Sequence, residues 1–154
     1  MSKYAELTSH YNEVAHANEV YWDELRQMIK RVKADFSTYL GVGSEPIMVG
    51  GRQQPAVTVG KMDEDGDLLK WSVDALPKLG NGIEFALCLG FASSAASEPG
   101  PAFTYNLTIT KSPAGFLVRP VEGAGDGFIG PTFEELFEYL IKRTAEAITG
   151  SRRR

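Results

Sequence analysis

The residues best suited to do chemistry are few, and each has a plainer structural role. Glu13-Val14-Ala15-His16 is an E-x-x-H element, which di-iron bundles repeat on facing helices. One copy is present, so a second would have to come from a homodimer, and both residues fall on the polar side of their helix. His10 and His16 lie six positions apart, which is wrong for two ligands on one helical face. Asp63, Asp65 and Asp67 resemble a calcium loop. With Gly66 at its sixth position, however, Lys61 and Ser72 occupy the first and twelfth, where carboxylates are required. A hairpin with Asp65-Gly66 as a type I′ pair explains the segment without a metal.

Gly125-Asp126-Gly127-Phe128-Ile129-Gly130 has the G-x-G-x-x-G spacing of a dinucleotide loop between a strand and a helix. Pro131 intervenes before the helix, and Glu134 and Glu135 put negative charge where a phosphate would sit. A flexible turn is the better reading. Cys88 falls mid-strand between Ala86 and Gly90, the setting of an inert buried thiol. Ser93, Ser94 and Ser97 lack a G-x-S-x-G context. No nucleophile, base and oxyanion site assembles from these pieces, so an enzyme is less expected than a binding protein, and no cofactor or metal is expected.

Composition narrows the partners. The chain has 154 residues and a net charge of −4, which disfavours nucleic acid despite the basic tail Arg152-Arg153-Arg154. One cysteine excludes an internal disulfide framework and suits a reducing compartment. The longest apolar stretch, Ala86 to Ala92, is too short to span a bilayer, and the N-terminus lacks a secretory layout. A cytoplasmic protein is expected.

The element that must position everything else is the run from Tyr4 to Leu40, free of proline and glycine. Ser2 is set to cap its start and Gly41 its end. In heptads from Tyr4, the a and d positions begin Tyr4, Leu7, Tyr11, Val14 and Asn18. After Asn18 the stripe broadens to include Trp22, Ile29, Phe36 and Leu40, as on a helix docked against a wide surface. Such a helix would be ~54 Å long, whereas a domain of this size has a radius of gyration of only ~15 Å. Its second half should therefore pack on the chain's own sheet, and its first half on another chain; the alternative is a break near Thr8–Asn12, giving two helices folded on one core. Asn18 could fix the register of a parallel pair, or simply be solvated at the stripe's edge.

Residues 47–121 read as an antiparallel sheet of about five strands. The return strand of the Asp65-Gly66 hairpin is expected from Leu68 to Ala75. Ile83, Phe85, Leu87 and Leu89 alternate with Glu84, Ala86, Cys88 and Gly90, and the second set is small, as if chain passes close above it. Phe103, Tyr105, Leu107 and Ile109 alternate with Thr104, Asn106, Thr108 and Thr110. Thr132 and Glu135 suggest a capping box for a closing helix over 132–149.

The expected architecture is a single two-layer α+β domain over 1–154, with both helices on one face of the sheet. That leaves Ser72, Glu84, Thr104, Asn106, Thr108 and Thr110 as an open polar lattice flanked by the Ser93–Gly100 loop. The leading functional expectation is a non-catalytic adaptor, chaperone or immunity-type module, dimeric through its first helix and binding an unknown protein partner. The second is a small-molecule or nucleotide-binding domain using the polar face, and a third, less favoured, is a small metal-dependent enzyme built on Glu13 and His16.

Overall fold

The computed structural model describes residues 2–43, 45–92, 102–122 and 127–151. Helix α1 runs unbroken over Lys3–Leu40. Ser2 caps it by accepting a hydrogen bond from the Ala5 amide at 3.1 Å. Gly41 stops it with φ of 76°, while Gly41 N–H donates to Thr38 O and Val42 N–H to Ser37 O. That bond pair is the Schellman arrangement, and the left-handed backbone it needs costs glycine little.

Nine strands follow among the described residues, more than the five or so expected. β1 (Ile47–Val49) and β2 (Arg52–Gln54) form a separate antiparallel hairpin around Gly50-Gly51. The main sheet contains β3 (Val57–Met62), β4 (Leu68–Leu69), β5 (Lys78–Leu79), β6 (Gly82–Gly90), β7 (Ala102–Ser112), β8 (Gly115–Pro120) and β9 (Phe128–Gly130). Its order is β4-β3-β6-β7-β8-β9, with β5 also paired to β6, and every pairing is antiparallel. Helix α2 spans Glu134–Ser151, beginning later than the Thr132 capping box implied: Phe133 O accepts from Phe137 N–H.

Two strand expectations need correction. The return strand ends at Leu69, and Val73–Ala75 is instead a short 3-10 turn. Burial explains the change, because Val73 and Leu76 both turn into the core, which a straight alternating strand would not allow. The hairpin connection is not type I′ either. Within this connection only Gly66 has positive φ (86°), and its N–H donates to Asp63 O, so this is a longer loop closing on one left-handed glycine.

The core lies between the sheet and the two helices, which cover the same face. Leu25, Ile29, Val32 and Phe36 of α1 and Leu136, Phe137 and Leu140 of α2 cluster with Phe85, Leu87, Leu107, Ile109 and Val118. Phe36 stacks on Phe137 with ring centroids 5.1 Å apart, tying the helices together. Tyr105, on the sheet, donates its hydroxyl hydrogen to buried Thr144 of α2, whose own hydroxyl is committed to Leu140 O.

The opposite face is closed where its residues are small. Leu68 Cδ1 lies 3.2 Å from where a Gly60 side chain would begin, and the Leu69 carbonyl is closer still. Gly60→Ala is therefore expected to destabilise the fold by ~1–3 kcal/mol, since the added methyl meets backbone that cannot swing aside. A urea midpoint shift at unchanged slope checks this.

Candidate functional site

The first half of α1 carries a run of uncovered apolar side chains. Tyr4 is 79% exposed, Leu7 67%, Tyr11 70% and Val14 46%, while further along the same helix Leu25 and Val32 are wholly buried. No α1 side chain before Leu25 is buried. Tyr21 and Trp22 mark where the helix reaches the globule: both pack against the core, and the Tyr21 hydroxyl donates to Asn81 O. The stripe therefore projects beyond the protein's own layers, and Asn18, also exposed, sits near its inner end.

The polar lattice is assembled only in part. Glu84 faces Thr108, Ala86 faces Asn106 and Cys88 faces Thr104 across β6 and β7. Asn106 Nδ2 donates to Glu84 Oε1 at 2.9 Å, whereas Asn106 Oδ1 is buried without a hydrogen-bond partner. Thr110 continues the row, but Ser72 does not join it, because it precedes the 3-10 turn and is exposed. Ala86 and Cys88 are buried rather than presented. At the edge where β8 stops pairing with β7, a cavity of about 90 Å³ is lined by Met62, Thr104, Asn106 and Arg143, among others. At ~30 Å³ per water molecule it holds a few waters, far less than a typical ligand site of ~300–1,000 Å³.

Burial pushes the Cys88 thiol above its ordinary value of 9.0, with a smaller opposing effect from the Thr104 hydroxyl. The folded state thus retains the thiol proton where the unfolded chain begins to lose it. This group's contribution to stability is full below pH ~9 and falls as pH rises above that value. Urea titrations from pH ~7 to ~10.5 should show the parent losing more stability at the alkaline end than Cys88→Ala.

The remaining candidates separate. Glu13 and His16 are exposed on the projecting helix, and the described residues contain no group of three or more His, Cys, Asp or Glu placed to hold a metal ion. Asp63 Oδ1 accepts from the amides of Asp65 and Asp67, so this carboxylate organises its own turn. Ser93, Ser94, Ser97, Gly125, Asp126 and the arginine tail lie outside the described residues. Phe128–Gly130, read from sequence as part of a flexible loop, instead forms edge strand β9.

Comparison with protein-family models, curated proteins and solved structures finds no significant match to this chain.

Sequence reasoning missed an apolar groove of about 510 Å³ at the other end of the globule. Leu40, Ile47, Leu89, Phe91, Ile141 and Ile148 contribute to its walls. Four separate elements build it, so its only local signal was the stripe on α2 that includes Ile141 and Ile148. No helix among the described residues is long and apolar enough to cross a membrane.

Proposed function

We propose that this protein is a non-catalytic interaction module that forms a homodimer through the first half of α1 and engages a further protein partner. The observation that supports this reading is the stripe Tyr4, Leu7, Tyr11 and Val14, left in water on a helix whose later apolar residues Leu25, Met28, Ile29, Val32 and Phe36 are buried. Exposed apolar patches of this contiguity mark association surfaces. Two tyrosines per chain suit such a surface, because they bring a large apolar area together with a hydroxyl that tolerates the rim. The test is the mass in solution of the full chain and of a variant lacking residues 2–17. A dimer that becomes a folded monomer on truncation supports the proposal, and a monomeric full chain overturns it.

A second reading, a site for a small polar ligand, is favoured by one observation, the unpartnered Asn106 Oδ1 beside the 90 Å³ cavity. A thermal-shift screen of small polar metabolites, of a few heavy atoms each, checks it. A response lost in Asn106→Leu supports the site, and no response removes it.

A further inference from the structure

The orientation of the proposed dimer follows from where the globule sits on α1. At ~100° per residue, the mean directions of the exposed set (Tyr4, Leu7, Tyr11, Val14) and the buried set (Leu25, Met28, Ile29, Val32, Phe36) differ by only ~25°. The projecting stripe thus faces the same way as the stripe covered by the sheet. Paired helices run ~8–10 Å apart. A copy laid parallel on this face would carry its own residues 25–36 into the space that the first copy's strands occupy. The helix has no proline or internal glycine at which to bend away.

We infer that two copies associate antiparallel through residues 3–17 of α1, with their globules at opposite ends. This inference rests on the homodimer proposed above and specifies its geometry. Facing residues in an antiparallel pair have position numbers of constant sum, and one register covers the whole stripe. It sets Tyr4 against Val14 of the second copy and Leu7 against Tyr11, each layer occurring twice by symmetry. Every layer then matches a tyrosine with a smaller aliphatic side chain, which fills space better than tyrosine on tyrosine. A covered tyrosine withdraws ~150–250 Å² from water. Four of them, with two leucines and two valines, reach the ~1,000 Å² expected of a specific interface.

Neighbouring registers fail. Sliding the copies together by one heptad brings Tyr4 onto Tyr21, whose ring already packs on the core and whose hydroxyl is held by Asn81 O. Sliding them apart by a heptad leaves Tyr11 and Val14 in water. In the matched register Ser2 of one copy lies level with His16 of the other, ~7 Å short of Tyr21. Asn18 falls outside the layers and fixes no register, contrary to the parallel arrangement the heptad pattern suggested.

Spin labels at Gln27→Cys, an exposed position, on a Cys88→Ala background test the arrangement. The antiparallel register separates the two labelled backbones by ~36 residues of rise, or ~54 Å. A measured distance near that value, in a sample whose mass is that of a dimer, supports the inference. A dimer with labels within ~20 Å, on the scale of paired helix axes, overturns the orientation and leaves the dimer standing. A dimer at some other distance places the interface elsewhere and overturns it too, while a monomer removes the dimer itself. Should the labelled variant fail to fold, oxidising a mixture of Leu7→Cys and Tyr11→Cys chains supplies the second measurement. Predominantly mixed disulfides support the antiparallel register, and predominantly like-with-like disulfides overturn it.

Discussion

Replacing Leu7 and Tyr11 together by aspartate is expected to raise the dissociation constant of the proposed dimer by on the order of 1,000-fold or more. In the antiparallel register these residues face one another twice, so the double variant buries four carboxylates with no cation opposite. Each unpaired charge costs several kcal/mol to desolvate, and the like charges repel at short range. Both side chains are mostly exposed in the single chain, so the globule's urea midpoint should hardly move once the protein is monomeric. Sedimentation equilibrium on parent and variant across a concentration series provides the measurement. A variant that associates as tightly as the parent would show that this stripe is not the contact.

Phe36→Ala is expected to have the largest effect on the fold itself, a loss of ~3–5 kcal/mol. Phe36 is 1% exposed and stacks on Phe137, so its removal opens a cavity where both helices meet the sheet. Neighbouring contacts limit how far that cavity can close. Tyr39 also packs on Phe137 and bonds Glu138, holding the end of α1 against α2. Chemical denaturation monitored at both tryptophans reads the loss, and a change under 1.5 kcal/mol would mean that the helices repack freely.

The parts of this fold that could be read from sequence are those fixed by local chemistry. Ser2, Gly41 and the absence of proline and glycine between them set both ends of α1, and the structure places them at its two caps. The alternations through Ile83–Leu89 and Phe103–Ile109 identified two neighbouring strands and their buried sides. Long-range effects were not legible. Nothing near Leu69 announces that Val73 and Leu76 will turn inward, so the alternation alone overstates the length of the return strand. β9 is three residues inside a glycine-rich run, and only pairing with β8 makes it a strand. Of the surfaces, the projecting stripe could be found by comparing one length with another. The 510 Å³ groove could not, because its walls come from segments as distant as Leu40 and Ile148. The threonine row was found as a row, but the folding of Leu68 over Gly60 that narrows its face was not.

Because the first buried side chain of α1 is Leu25, the amides of its outer turns gain no shelter from the core. The docked half already supplies the nucleus, so those turns add at little cost and open from the free end inward, like a zipper. In a dilute single chain, hydrogen exchange should therefore quicken steadily from Tyr21 towards Tyr4. Association that clasps the outer turns at both ends should flatten this gradient, making the exchange profile itself a gauge of how many chains are engaged.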